Sequence, residues 1–244
     1  MNKLPEITLA FWVMKICATT LGETAGDLLS MTLNVGYAVS SLILFWMFAL
    51  TLAAQLSVKD YRPWLYWSVI LSTSTAGTTM SDYMDRTLGL GYAKGSFLLL
   101  GMLLGILAAW RASGESLSVS EIRTFRVEAL YWTAILFSNT LGTALGDFLA
   151  DNSGLGFAGG ALLIGLLLSL VVAAYYVSEV SRVLLFWIAF ILTRPFGATM
   201  GDVLTKTRDK GGLGFGTIGS SAVLAAVLAA AVVGATRRQR REGP

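Results

Sequence analysis

The chain has 244 residues, of which 55% are apolar and 14% are charged, and its formal net charge is +3. Its mean hydropathy is +0.68. A soluble globular domain carries about 25% charged residues, so this composition excludes that class and predicts a polytopic membrane protein. The single cysteine, Cys17, excludes an intrachain disulfide, and the lack of histidine removes the commonest transition-metal ligand.

The first predicted element, residues 11–30, reads as a membrane span that carries Lys15, Glu23 and Asp27. A charged side chain at the centre of a bilayer costs about 2.5 to 3.5 kcal/mol on insertion scales, so such residues normally face the protein interior. The next predicted element, and every second one after it, is plainly apolar and close to the roughly 20 residues that cross a membrane. These apolar runs are 38–54, 97–110, 158–177 and 218–235.

The polar span recurs three more times along the chain. Each copy begins with a tryptophan that lies fifteen residues before an aspartate: Trp12 and Asp27, Trp67 and Asp82, Trp132 and Asp147, Trp187 and Asp202. A glycine and a second small residue precede each aspartate in the motifs TLGETAGD, TAGTTMSD, TLGTALGD and PFGATMGD. This small-xxx-small spacing lets helix backbones approach closely in membranes. A glycine–aromatic pair then leads into each apolar run, and the fourth copy has three extra residues around 206–211.

The tryptophans are spaced by 55, 65 and 55 residues, which indicates a two-helix unit that was doubled and then doubled again. The predicted fold is all-α: eight transmembrane helices in four parallel two-helix repeats, with a pseudo-twofold relation between halves 120 residues apart. Residues 1–112 would hold repeats 1 and 2, and residues 127–236 would hold repeats 3 and 4. Residues 113–126 would form a cytoplasmic linker, and residues 237–244 a basic cytoplasmic tail.

The distribution of Lys and Arg over the predicted loops sets the orientation. Eleven basic residues lie on one predicted face: Lys3, Lys59, Arg62, Arg111, Arg123, Arg126, Arg182, Arg237, Arg238, Arg240 and Arg241. Five lie on the other: Arg86, Lys94, Lys206, Arg208 and Lys210. The positive-inside rule therefore predicts that both termini are cytoplasmic and that the four tryptophans lie near the cytoplasmic interface. Fifteen residues of helix rise about 22 Å, so the aspartates would share a depth in the outer third of the membrane.

Hydroxyl and carboxylate side chains gather around the four aspartates. The candidate substrate-binding or ion-binding residues are Asp27, Asp82, Asp147, Asp202, Glu23, Thr78, Asn139 and Thr143, and the four aspartates are the candidate metal ligands. Lys15 and Arg194 are the predicted charge-balancing residues. Five carboxylates against these two cations leave a formal charge of −3, which attracts a cation or holds exchangeable protons. Oxygen ligands without histidine favour hard ions such as Mn²⁺, Mg²⁺, Na⁺ or K⁺.

The repeats have diverged at a few positions near this site. Pro195 is expected to break or kink its helix and to free backbone carbonyls there. Asp85 and Asp151 lie a turn beyond the aspartates of repeats 2 and 3. We expect them to be solvated loop charges, with an outer vestibule as the alternative.

These residues predict a secondary transporter for a cation, coupled to protons. The alternatives are a cation channel with an aspartate ring as its filter, and a non-transport scaffold in which the aspartates are structural carboxylates. No nucleophile–base pair or phosphate-binding loop is visible in the sequence, so an enzyme is not expected. No cofactor is expected other than a bound cation. The expected partners are the lipid bilayer and a small cation but not nucleic acid, and a homo-oligomer is compatible with the sequence.

The tandem two-helix units, each with a tryptophan, a Gly/Thr-rich stretch and an aspartate, resemble the bacterial integral-membrane proteins built from four copies of a repeat of unknown function. The resemblance covers nearly the whole chain, from Trp12 to about Ala235. It implies a protein with eight spans in the bacterial inner membrane, and it implies no chemistry.

Overall fold

The computed structural model describes residues 4–119, 122 and 124–242, and this part of the chain forms eight α-helices. The helices are α1 (Leu9–Asp27), α2 (Tyr37–Ser57), α3 (Pro63–Asp82), α4 (Tyr92–Ala112), α5 (Phe125–Asp147), α6 (Gly156–Val177), α7 (Arg182–Thr205) and α8 (Gly216–Glu242). The prediction of an all-α fold is therefore confirmed. The predicted basic tail continues α8 as far as the described chain reaches, while Lys3 and Arg123 lie outside the described residues.

The odd-numbered helices form a closed inner ring. Helix α1 contacts α3, α3 contacts α5, α5 contacts α7, and α7 returns to α1. The even-numbered helices lie outside this ring, and each packs on the inner helix of the following repeat: α2 on α3, α4 on α5 and α6 on α7. Helix α8 packs on α1, so the last repeat closes on the first.

Five helices of the described chain are long and apolar enough to cross a membrane: α2, α4, α6, α7 and α8. The outer helices expose large apolar side chains, as Leu42, Trp46 and Leu50 show on α2. Helices α1, α3 and α5 are less apolar because they carry more hydroxyl and charged side chains. These side chains point into the ring, where they are buried. An apolar exterior around a polar interior indicates a membrane protein.

The recurring glycines set the close spacing of the inner helices. A Cβ added to Gly77 would lie 3.0 Å from both the Cβ and the carbonyl carbon of Asn139 on α5. The same contact recurs around the ring, because a Cβ on Gly22, Gly142 or Gly197 would clash with the equivalent residue of the next repeat. These equivalent residues are Ser74, Arg194 and Thr19, respectively. The glycines therefore place the polar side chains of one inner helix directly against the backbone of its neighbour.

The inner helices end differently in the fourth repeat. In the first three repeats the aspartate is followed by a π-helical turn, namely Leu28–Thr32, Tyr83–Thr87 and Phe148–Asn152. Helix α7 instead continues three residues beyond its aspartate and is followed by the short 3₁₀ turn Arg208–Lys210. The three inserted residues around 206–211 account for this change.

Helix α7 is continuous through Pro195, so a break, the first of the two predicted outcomes, is wrong, while a kink at this residue stays a prediction. Proline removes one backbone hydrogen bond, but membrane helices tolerate it when neighbouring helices hold the segment. Pro195 is buried and lies against Gly142 of α5, and α7 is packed between α1, α5 and α6. This packing keeps the segment helical.

An aromatic layer closes the ring at the end that carries the repeat tryptophans. The residue before each tryptophan is also aromatic, and its ring contacts a tryptophan of a neighbouring inner helix: Phe11 with Trp67, Tyr66 with Trp132, Tyr131 with Trp187 and Phe186 with Trp12. The hydroxyl oxygens of Tyr66 and Tyr131 lie 2.9 Å apart inside the layer. Three of the four tryptophans are buried, so they act in helix packing and not as anchors at the lipid interface.

The glycine contacts predict a specific loss of stability. In Gly142→Ala the new methyl group would clash with the Cβ and Cγ of Arg194, and such overpacking costs about 1–3 kcal/mol. The matched control is Gly105→Ala on α4, where an added Cβ meets no atom within 4 Å. We expect the unfolding temperature in detergent to fall for Gly142→Ala and to stay level or rise for Gly105→Ala. Equal unfolding temperatures would contradict the close-packed ring.

Candidate functional site

Three successive turns of each inner helix place repeat-related residues on one face, and all of these residues are polar except Ala198. They are spaced by four residues, so they lie above one another on a helix. From the aromatic layer outward, the three levels are Thr19, Ser74, Asn139 and Arg194; Glu23, Thr78, Thr143 and Ala198; and Asp27, Asp82, Asp147 and Asp202. All twelve residues are buried.

A buried ion pair lies in the middle of the ring. The Nη2 atom of Arg194 on α7 lies 3.1 Å from Oε2 of Glu23 on α1, and Nη1 lies at the same distance from that oxygen. The side chains are 0% and 4% exposed, respectively. Their positions are 171 residues apart in the chain, so the pair joins the first repeat to the last.

The other two inner helices supply hydrogen bonds to the same pair. The hydroxyls of Thr78 on α3 and Thr143 on α5 donate to Oε2 of Glu23 at 3.3 and 3.2 Å, and each also accepts from Nη2 of Arg194. Arg194 further donates to the backbone carbonyls of Thr19 and Ser74, at 3.4 and 3.3 Å. A buried charge is tolerated only when it is paired and hydrogen-bonded. Here all four inner helices supply a charge or a hydrogen-bonding group to the pair.

The four aspartates form a ring that two basic side chains divide into pairs. Arg86 follows α3, and its Nε lies 2.9 Å from Oδ1 of Asp82 while its Nη2 lies 3.0 Å from Oδ2 of Asp147. Lys206 follows α7, and its Nζ lies 3.0 Å from Oδ2 of Asp27 and 3.1 Å from Oδ1 of Asp202. Each aspartate of the ring is therefore bound to one cation.

Lys206 remains charged in this position. Burial alone would lower the pKa of its ammonium, but the carboxylates of Asp202 and Asp27 outweigh burial and hold the pKa above its ordinary value. Its side chain is 21% exposed and that of Arg86 is 30% exposed, whereas the aspartates are at most 5% exposed. Both cations therefore lie at the outer edge of the ring, with the carboxylates behind them.

The family of the chain follows from its repeats. A model of the family described as "Repeat of Unknown Function (DUF347)" matches residues 10–61, 65–116, 130–181 and 185–241. The chain belongs to the DUF347 family. No curated protein matches the chain, and no solved structure does. The four matches coincide with the four helix pairs α1–α2, α3–α4, α5–α6 and α7–α8.

The structure corrects the charge predicted for the site of this DUF347 protein. Arg86 and Lys206 were expected on a loop face as orientation signals, but both reach into the aspartate ring. With Lys15 and Arg194 they make four cations against five carboxylates, so the formal charge is −1 and not −3. The sequence pattern could have revealed them, because each lies four residues after a repeat aspartate and therefore one helical turn away.

The predicted site residues take different places in the structure. Thr78 and Thr143, which were predicted to bind an ion, donate hydrogen bonds to Glu23. Asn139 is fully buried, and within the described part of the chain neither of its amide atoms has a hydrogen-bond partner. Among the residues that the structure describes, Lys15 pairs with no carboxylate: its Nζ lies 4.1 Å from the centre of the Phe190 ring, between the aromatic layer and Arg194.

Asp85 and Asp151 differ in their surroundings. Asp151 is exposed, which agrees with a solvated loop charge. Asp85 is buried, so that prediction is wrong for it: its Oδ2 accepts a hydrogen bond of 3.3 Å from Ser81, and its Oδ1 lies where a side chain on Gly95 of α4 would be. The missing side chain of Gly95 leaves the room that Asp85 fills.

Three carboxylates of the DUF347 chain converge closely enough to share a metal ion. Glu23, Asp147 and Asp202 each offer an oxygen, and these oxygens lie within 4.8 Å of one another. All three residues are buried. Carboxylate oxygens suit hard cations such as Mg²⁺, Ca²⁺ or Mn²⁺. Each of the three is also bound to a basic side chain, namely Arg194, Arg86 and Lys206.

The central ion pair predicts a non-additive effect on stability. Removing one partner of a buried pair leaves an uncompensated charge and costs about 3–5 kcal/mol. We therefore expect Glu23→Gln and Arg194→Gln each to lower the free energy of unfolding by that amount, and the double variant to lose clearly less than the two losses combined. Denaturant unfolding in detergent would measure this, with the exposed Glu179→Gln as the control for loss of a carboxylate. Strictly additive losses would refute the coupling.

Proposed function

We propose that the chain is a secondary transporter for a hard cation, coupled to protons, whose binding site is formed by the carboxylates inside the ring of α1, α3, α5 and α7. The observation that carries this proposal is the convergence of Glu23, Asp147 and Asp202, whose oxygens lie within 4.8 Å of one another in the buried interior. Ionisable residues at membrane depth generally mark ion or proton pathways.

The surroundings of the three carboxylates support a cation as substrate. The four aspartates carry four formal negative charges, and Arg86 and Lys206 balance two of them. Glu23 and Arg194 balance each other. Counted without Lys15, which lies against Phe190 nearer the aromatic layer, these groups retain two negative charges that a divalent cation, two monovalent cations or two protons would neutralise. Exchange of a cation for protons at the same carboxylates provides the coupling.

The two ends of the ring favour a transporter that opens to one side at a time, and not a channel that is open to both sides. At the aspartate end the buried carboxylates lie directly behind the partly exposed Arg86 and Lys206. At the opposite end the aromatic layer fills the space between the helices, and Tyr66 and Tyr131 join their hydroxyls across it. Transport would require this layer to separate while the aspartate end closes, as in transporters that expose one site to the two sides in turn.

The proposed topology has eight spans, with both termini in the cytoplasm of a bacterial cell and the protein in its inner membrane. Helices α1, α3 and α5 would cross the membrane inside the ring, shielded from lipid by the outer helices, which is why their own hydropathy is low. The basic residues near Lys59, Arg111 and Arg182 would mark the cytoplasmic face. The halves would be related by a pseudo-twofold axis along the membrane normal. Because the tryptophan ends of the inner helices would lie on the cytoplasmic side, the aspartate ring would face the outside.

Replacement of single carboxylates tests the function. Asp27→Asn, Asp82→Asn, Asp147→Asn and Asp202→Asn keep the side-chain shape and remove the charge, so cation flux into liposomes should fall at least about tenfold while the proteins still fold. The control is Asp151→Asn, an exposed aspartate one turn from Asp147. Glu23→Gln should change the pH dependence of flux, because Glu23 is the one carboxylate at its level of the ring.

The alternatives give different results in the same experiment. If the aspartates are structural, expression and unfolding temperature should decline in step with function in the Asn variants. A channel would show flux without proton coupling, and a scaffold would show none in the wild-type protein. Wild-type flux in all four folded Asn variants would end the proposal.

A labelling experiment tests the topology independently. In a background without Cys17, a cysteine replacing Arg208 should react with a membrane-impermeant reagent added outside intact cells. Arg208 is exposed in the turn that follows α7, so folding should not hide the reporter. A cysteine replacing Lys59, which is also exposed, should react only after the membrane is opened. Reaction of the Arg208 reporter only from the cytoplasm would reverse the proposed orientation.

A further inference from the structure

We infer that Lys206 is a tethered counter-cation: it occupies one half of the aspartate ring in the absence of substrate, and the transported cation displaces it. Arg86, in the other half, is a fixed clamp. This inference rests on the proposed function and deepens it, because it assigns the residue that competes with the substrate and thereby sets the affinity of the site.

Lys206 already places a positive charge between two carboxylates of the ring. Its Nζ lies 3.0 Å from a carboxylate oxygen of Asp27 and 3.1 Å from one of Asp202. Among the described residues these are its only ion-pair partners, and they come from two different inner helices. An ammonium group is a compact point charge that two carboxylates hold without further geometric demands.

Arg86 is held by more groups than Lys206 is. Besides Asp82 and Asp147, its guanidinium donates to the hydroxyl of Tyr37 at 3.2 Å. Its guanidinium carbon also lies 5.8 Å and 5.6 Å from the ring centres of Tyr37 and Tyr92, at the starts of α2 and α4. A planar guanidinium that pairs with carboxylates and contacts aromatic rings is fixed in orientation. Its release would break contacts with four residues at once.

The backbone lets the Lys206 side chain leave without unfolding. The N–H of Lys206 donates to the carbonyl of Asp202 at 2.9 Å, and its carbonyl accepts from Gly214 at 2.9 Å, so the main chain is anchored on both sides. The residue lies beyond the end of α7 in an extended conformation, and its side chain is 21% exposed. A rotation of the flexible four-carbon side chain would carry the ammonium from the ring into solvent.

Asp202 connects this half of the ring to the converging carboxylates. It pairs with Lys206 through Oδ1 and is one of the three residues, with Glu23 and Asp147, whose oxygens lie within 4.8 Å of one another. A cation entering among them would meet the ammonium charge on a shared carboxylate. Two positive charges bound to the same carboxylate repel each other strongly in a partly buried site, so the substrate and the ammonium of Lys206 exclude each other. A divalent ion overcomes one tethered charge more readily than a monovalent ion does.

Two measurements on purified protein in detergent test this inference. The first is Mn²⁺ affinity, by calorimetric titration at fixed pH, for wild type, Lys206→Gln and the control Lys210→Gln, which alters an exposed lysine in the same loop. Removal of the competing charge should tighten Mn²⁺ binding on the order of tenfold in Lys206→Gln and leave Lys210→Gln unchanged. Arg86→Gln should instead lower the unfolding temperature.

The second measurement follows the ammonium group itself. Acylation of lysines by an amine-reactive reagent, quantified by mass spectrometry, should increase at Lys206 when Mn²⁺ is added and stay constant at the exposed Lys94 and Lys210. Equal or weaker Mn²⁺ binding in folded Lys206→Gln, or unchanged acylation of Lys206 in Mn²⁺-bound wild type, would overturn the inference and leave the proposed function standing. If neither wild type nor Lys206→Gln binds Mn²⁺, Mg²⁺, Na⁺ or K⁺, the proposed function fails, and this inference fails with it.

Discussion

The ion pair between Arg194 and Glu23 is the constraint on which the rest of the structure depends. Both side chains are buried, and the positions they join lie in the first and last repeats. A charge without water must be matched by a counter-charge and by hydrogen bonds. Here α1 and α7 supply the charges, and α3 and α5 supply the hydroxyls of Thr78 and Thr143. The four helices can therefore satisfy this pair only as a closed ring, since opening any one contact leaves a buried charge short of partners.

The glycines make that arrangement possible. A guanidinium reaches the middle of the ring only if its side-chain stem lies flat against a neighbouring helix, and the stem of Arg194 lies where a side chain on Gly142 would be. The same relation places Glu23 against Gly201, where an added Cβ would lie 2.9 Å from the Cβ of Glu23. Small residues thus provide the space between the helices, and the polar side chains that fill it provide the specificity of the helix pairing. In membranes this combination replaces the hydrophobic effect as the source of helix association.

Much of this architecture could be predicted from the sequence, because repetition and hydropathy report on whole helices. The fifteen-residue spacing from Trp67 to Asp82 placed both on one inner helix, and the small-xxx-small motifs indicated close packing. The partners of the aspartates could not be predicted in the same way. Lys206 and Arg86 look like loop charges in a positive-inside count, because that count considers loop membership and not the direction of a side chain. The pairing of Glu23 with Arg194 depends on the order of helices around the ring, which spacing alone does not determine.

Divergence between repeats gives each level of the ring a different symmetry. The four aspartates are identical, yet their cations come only from repeats 2 and 4, since Met31 and Asp151 stand at the equivalent positions of repeats 1 and 3. One level further in, a single glutamate faces two threonines and an alanine. A filter that conducts ions along its axis gains from equivalent ligands on every side. Here the ring changes from four similar carboxylates to one glutamate with one arginine partner, so the level of Glu23 has one distinct place for a charge. In the proposed transporter this loss of equivalence would give one ion a distinct place to bind, and it arises from substitutions at only a few positions of a duplicated helix.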